Sequence, residues 1–174
     1  DGKGPPPLRS SLRPNGLPGL SEADAAKVRD GNALLKQVAR LCKAAHQAGV
    51  PFCIENPARS FVWTTATMRR LVTATNARRV EFDFCQYGEE WVKRTAIVVS
   101  GADLSSLGRR CPCVHGLCSV TNLKHTVLAG KRNAVWLTKI AEPYPRQLCS
   151  EIARLLSKPF QSTAQSQSPH IKAL

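Results

Sequence analysis

Apolar residues recur at helical spacing between Val28 and Cys42, and this stripe predicts the first and longest element of the chain. Val28, Gly31, Leu35, Val38 and Cys42 lie on one line, and Leu34, Leu41 and Ala45 widen the face expected to turn inward. Ser21 supplies a capping hydroxyl before it, Glu22 and Asp24 place acids in the first turn, and Gly49 ends the helix. The pattern then changes. Val50 to Glu55 is a short apolar run, read as a strand buried on both faces, and Pro57 opposes its continuation into a ladder. Residues 65–75 return to helical spacing with Met68, Leu71 and Val72 inward. Residues 79–84 alternate as a strand does, and residues 95–100 are continuously apolar. A short helix is expected from Ala102 to Leu107, and residues 108–135 show no periodicity. A last amphipathic helix runs from Gln147 to Ser157, with Leu148, Ile152, Leu155 and Leu156 on one stripe.

Helices alternating with strands predict an α/β fold with a largely parallel sheet. The domain is expected over residues 21–157. A Pro- and Gly-rich arm (1–20) precedes it, and a disordered tail rich in Ser and Gln (158–174) follows. The opening Asp1-Gly2-Lys3-Gly4-Pro5, with no initiator Met, is expected of a chain cut from something longer.

Composition narrows the class. At 174 residues and 43% hydrophobic content the chain can bury one core. No run approaches the roughly 18 apolar residues of a membrane span, and no signal segment opens the chain. Seven cysteines are an odd number, and Cys42, Cys53, Cys85 and Cys149 sit in apolar segments. Buried, reduced thiols and an intracellular setting, the nucleus included, are therefore expected. A net charge of +13 favours a polyanionic partner, and nucleic acid comes first. A charged but inert surface is the bland alternative.

Candidate chemistry gathers at three places. Glu55 and Asn56 fall at the end of a strand, where open α/β sheets bind ligands, with Pro57 stiffening the turn and Arg59 beyond it. A carboxylate that merely caps the turn or pairs with Arg59 is the structural alternative. Cys85-Gln86-Tyr87-Gly88 with Lys93-Arg94 forms a second strand-end group able to hold an anion, unless those charges simply face solvent. Cys111, Cys113, His115 and Cys118 are candidate zinc ligands, with His125 further on. Their Cys-x-Cys spacing is tighter than paired zinc cysteines commonly show, and a loop of reduced thiols is the other reading. Dinucleotide loop, Walker lysine and His-Glu-x-x-His patterns are absent.

Phe52-Cys53-Ile54-Glu55-Asn56-Pro57 resembles the Glu-Asn-Val/Pro motif of cytosine-5 DNA methyltransferases. Cys85-Gln86-Tyr87-Gly88 through Val99 looks like that family's later strand pair, and Tyr144-Pro145-Arg146-Gln147-Leu148 is similar to its closing helix. The likeness is closer to a divergent, mobile-element-associated group of such proteins from unicellular eukaryotes. It rests there on Pro7-Leu8-Arg9-Ser10, Gly16-Leu17-Pro18, Gly31-Asn32, Ile54 to Ser60 and Trp63. It covers about residues 5–155.

The resemblance implies part of a class I, Rossmann-like methyltransferase sheet with flanking helices. It implies S-adenosylmethionine as cofactor of the intact parent, and DNA as the nucleic acid. Glu55 would hold a flipped cytosine, Arg94 would help position it, and Asn56, Pro57, Arg59, Gln86 and Lys93 would contact substrate. The family's Pro-Cys nucleophile, its glycine-rich cofactor strand and its long target-recognition region are missing here, and no cofactor-binding residue is identified. The expectation is a fragment inactive alone. A nucleic-acid-binding remnant of a mobile-element protein and a zinc-stabilised interaction module are the alternatives.

Overall fold

The computed structural model describes residues 6–157, so the tail expected from residue 158 on lies outside the described residues. The helix predicted from the first stripe is α1, Glu22–Gln47, and Ser21 caps it by accepting the Asp24 amide at 3.2 Å. β1 (Phe52–Pro57) follows, then a 3-10 turn at Phe61–Thr64 and helix α2 (Ala66–Thr75). β2 (Arg78–Asp83), a 3-10 turn at Phe84–Tyr87 and β3 (Arg94–Ser100) come next. A two-residue ladder of β4 (Lys131–Arg132) with β5 (Val135–Trp136), a short α3 (Leu137–Ile140) and α4 (Arg146–Leu156) complete the order. The helix expected at 102–107 is a 3-10 turn, Ser105–Leu107.

The sheet has three strands in the order β1-β3-β2, and both pairings are antiparallel. This corrects the largely parallel sheet expected from the alternation of elements. The link from β2 to β3 is only residues 84–93, too short for the crossover that parallel neighbours need. β3 therefore turns back and inserts between β1 and β2, which themselves run the same way.

Central β3 is buried from Thr95 to Ser100 and sends alternate side chains into two cores. Val98 joins Cys42, Phe52, Met68 and Leu71 beneath α1 and α2. Ile97 and Val99 join Phe82, Phe84, Tyr87, Leu107 and Leu148 on the other face, under α4. Ser100 ties the layers together, since its hydroxyl donates to the Thr75 carbonyl at 2.8 Å and meets His46 Nδ1 at 3.0 Å.

β1 is an edge strand, with one hydrogen-bonded neighbour among the described residues. Cys53, Glu55 and Pro57 are consequently exposed, against the expectation of a strand buried on both faces. Cys149 is also exposed, while Cys42 and Cys85 are buried as expected. Leu34 and Leu41, predicted inward on α1, are 66% and 71% exposed because α2 and β1 cover only the Leu35–Val38–Cys42 side.

The arm folds onto α1. Arg9 donates to the carbonyl of Pro14 and to Asn32 Oδ1 at 2.6 and 2.7 Å, and Asn32 Nδ2 returns a bond to the Asn15 carbonyl at 2.8 Å. A Cβ at Gly31 would stand 3.1 Å from the Arg9 guanidinium, so the arm packs closely on α1 there.

Candidate functional site

β1 ends at Pro57, and the chain turns at once. The Pro57 carbonyl accepts the Ser60 amide at 2.8 Å and the Trp63 indole N–H at 2.9 Å, while the Ala58 amide reaches the Arg94 carbonyl at 3.1 Å. Arg79 donates to the Ala58 carbonyl at 2.7 Å and lies over the Trp63 ring at 5.3 Å. The turn is thus fixed by backbone and indole bonds.

It opens on a cavity of about 490 Å³ walled by Arg9, Gly31 and Asn32 on one side and by Asn56, Pro57, Arg59, Ser60 and Phe61 on the other. A second hollow of about 280 Å³, with Lys36 and Arg70 on its rim, shares Asn32 and Leu35 as walls and prolongs the groove along α1. Arg59 is exposed and has no hydrogen-bond or ion-pair partner among the described residues. Phe61 is exposed at the rim. Residues far apart in the sequence (the arm, the middle of α1 and the end of β1) meet here.

Glu55 does not line this groove. Strand alternation sends it to the face opposite Asn56, toward Lys93 and Tyr144. Lys93 donates to the carbonyls of Ala141 and Glu142, and its ammonium sits 4.6 Å from the centre of the Phe84 ring. Burial pulls its pKa down, with Glu55 opposing. The Tyr144 hydroxyl is buried beside Glu55, and burial together with the Glu55 carboxylate pushes its ionisation upward.

Arg94, paired with Glu55 in the sequence reading, is engaged elsewhere. Its guanidinium grips buried Asp83 with two bonds, Nε to Oδ1 at 2.9 Å and Nη2 to Oδ2 at 3.2 Å. Those bonds hold its pKa above the usual arginine value.

The third group is built around the same aspartate. Asp83 Oδ2 accepts the Cys111 amide at 2.8 Å, which seats the loop after β3 against the end of β2. There Cys85, Cys111, Cys118 and His125 converge, with their ligand atoms all within 4.8 Å of one another. Three of the four are buried, and His125 is half-buried. Of the expected ligands, Cys111 and Cys118 are in the cluster. Cys113 stands beside it, its sulfur 4.0 Å from His125 Nδ1, and His115 is exposed in the loop. Cys85 takes the place expected of Cys113, and His125 that of His115. His125 had a signal in its nearness to the Cys-rich loop; Cys85, twenty-six residues before Cys111, had none. Gln86, expected at a substrate, donates instead to the Ser119 hydroxyl at 3.1 Å and to the Cys85 sulfur at 3.7 Å.

S-adenosylmethionine has no fitting cradle among the described residues. β1 turns through Pro57 to Ser60 without a glycine. Gly101, which follows β3, has its Cβ position blocked by the Pro51 backbone at 2.9 Å. No helix among the described residues is long and apolar enough to cross a membrane.

No family model, curated protein or solved structure matches this chain.

Proposed function

We propose that this chain binds nucleic acid, with DNA as the expected form, through the groove at the end of β1. The observation that carries the reading is what converges there. Phe61 offers an aromatic face, Asn56 offers an amide oxygen, and Arg59 offers a cation without a partner among the described residues, around about 490 Å³ of space. A base needs a surface to stack on and donors and acceptors at its edge, and its phosphate needs a cation. The volume lies within the roughly 300–1,000 Å³ of small-ligand pockets, so it takes one or two unstacked nucleotides and not a duplex. The net charge of +13 supplies the long-range attraction.

Fluorescence anisotropy with labelled single-stranded DNA, duplex DNA and RNA tests this. Single strands should bind more tightly than duplex, with affinity falling steeply as salt rises. Phe61→Ala should weaken single-strand binding by about 5- to 150-fold, the range of one lost stacking contact. Arg59→Ala should lower the salt slope by about one unit. Arg78→Ala, exposed at the start of β2, serves as the control for charge alone. Equal binding by the Phe61 and Arg78 variants would remove the groove from the account.

A second reading is separate from the first, since it uses Glu55 on the face opposite the groove: the chain acts as the C-terminal part of a cytosine-5 methyltransferase-like α/β domain, with nucleophile and cofactor site supplied from outside it. Two features support this. β1 has an open outer edge among the described residues, and Leu34 and Leu41 stand exposed on α1. Added strands and a further layer would complete both. In an intact domain, Glu55→Gln should abolish most cytosine methylation with the melting temperature unchanged. Undiminished methylation would take Glu55 out of the active site.

A further inference from the structure

We infer that Cys85, Cys111, Cys118 and His125 are the ligands of one structural zinc ion that pins the loop after β3 to the end of β2. The donor set is three thiols and one imidazole, the soft-to-borderline combination that zinc prefers in closed four-coordinate sites. Tetrahedral zinc requires about 3.8 Å between sulfurs and about 3.6 Å from sulfur to nitrogen, from its bond lengths. Cys111 Sγ lies 3.7 Å from His125 Nε2, and all four donors fall within 4.8 Å of one another.

The surroundings are those of thiolates. The Val120 amide points at Cys118 Sγ at 3.5 Å, the Ser119 hydroxyl at Cys111 Sγ at 3.7 Å, and the Gln86 amide at Cys85 Sγ at 3.7 Å. Each ligand sulfur therefore has a donor turned toward it, the arrangement by which outer groups orient and neutralise bound thiolates. Cys113 faces the other imidazole nitrogen of His125 at 4.0 Å, where it acts on ring orientation and not on the metal.

The loop gives an independent reason. Its cluster of buried residues consists of Cys85, Cys111 and Cys118 alone, with Cys113 packed against them. Val114, Val120, Leu123 and Val127 all point outward. A segment that turns at Cys113, His115, Gly116 and Asn122 through positive φ, without an apolar core, lacks the burial that would offset its ordering. A metal ion supplies that cohesion, and its binding free energy becomes folding free energy for the loop.

The test is zinc content of the 174-residue chain, made without a polyhistidine tag, with cobalt(II) substitution as the spectroscopic probe. About one zinc per chain is expected, and the cobalt form should show the intense visible bands of tetrahedral sulfur-rich coordination. Cys85→Ser and Cys118→Ser should lose the metal, while Cys113→Ser, Cys53→Ser and His115→Ala should keep it. His125→Cys guards against variants that merely misfold: it should retain one metal and shift the cobalt bands toward four-sulfur ligation. Chelation should raise hydrogen exchange across residues 109–126 before α1 and α2 respond. A wild-type chain that takes up no zinc when refolded with it would overturn the inference. Retention by Cys85→Ser with loss in Cys113→Ser would overturn this ligand set.

Discussion

Replacing Arg94 by Met separates a structural arginine from a substrate-positioning one. The side chain keeps most of its apolar stem and loses its charged head. Asp83, its partner, has a fully buried carboxylate, and Arg94 supplies both of its guanidinium bonds, at 2.9 and 3.2 Å. Stripping one member from a buried ion pair costs roughly 3–5 kcal/mol, because the remaining charge stays desolvated. Two observations reduce this. The Arg94 side chain is 36% exposed, and Arg110 Nε remains 3.6 Å from Asp83 Oδ2 as a substitute cation. The Cys111 amide also stays on the carboxylate. About 2–3 kcal/mol of destabilisation is therefore expected, a large share of the roughly 5–15 kcal/mol available to a domain. For a chain of this size that corresponds to a melting temperature lower by about 4–12 °C.

Urea unfolding followed by the fluorescence of Trp91, which is buried in the main core, reads the loss directly. Arg94→Lys should recover only part of it, since an ammonium cannot make the paired fork. In the cycle with Asp83→Asn, the double variant should be less destabilised than the sum of the singles, because neither charge is then left alone. Stability within about 0.5 kcal/mol of wild type would refute the reasoning. Unchanged stability with lost nucleic-acid binding would return Arg94 to the substrate role that the sequence resemblance implies.

Two further outcomes test the frame around the site. Glu90, held by two Arg132 bonds at 2.6 and 3.0 Å and by the Thr126 hydroxyl, has its pKa lowered from 4.5 to about 2. Its clamp on the segment 126–132 is thus complete above pH 4.5 and is lost as pH falls through about 2. Hydrogen exchange of that segment should quicken across this window, less so at high salt, and Glu90→Gln should show fast exchange throughout. Protection that stays flat to pH 2 would mean that the clamp contributes nothing. Gly101→Ala forces a Cβ to within 2.9 Å of the Pro51 backbone at φ +81°, and should cost about 1–3 kcal/mol in thermal melts. An unshifted melt would show that the turn after β3 relaxes freely.

Some of this structure is legible in the sequence because local rules decide it. The Ser21 cap and the Val28–Cys42 stripe define α1 without reference to the rest of the chain. The apolar run at 95–100 is central β3 for the same reason. Strand direction is different in kind. An apolar run reads the same whichever way it is crossed by its neighbours, so the insertion of β3 between β1 and β2 left no trace in periodicity. Exposure at Cys53 and Leu41 also depends on which neighbours arrive, and hydrophobicity alone sent both inward. The cluster of Cys85, Cys111, Cys118 and His125 shows the same limit. Sequence spacing favours ligands that are close together, and so pointed to Cys113 and His115. Both adopt φ of 51°, and the bends that they create carry the chain from Cys111 round to Cys118. Cys85 enters only through the packing of the loop on β2.

The register of the sheet links the groove to the cluster. Pro57 stands opposite Thr95 and Asp83 opposite Arg94, so the end of β1, the start of β3 and the end of β2 lie at one edge. Asn56, Pro57 and Arg59 open on the groove from that edge. Asp83 holds Arg94 there with its carboxylate and Cys111 with the same group, and Cys85 lies two residues further on. Asp83 is therefore the hinge between the sheet end and the cysteine loop, which accounts for a fully buried carboxylate in a small basic domain. Charge follows the same geometry. The loop that Cys85 secures carries Arg109, Arg110 and Lys124, and the turn at the groove carries Arg59. A metal at the four ligands would fix the first set of cations relative to the second, so that a bound strand meets a rigid basic edge and not a mobile one. On this argument metal removal and loss of nucleic-acid affinity are coupled through the Asp83 junction. Asp83→Asn should weaken that coupling while sparing the groove itself.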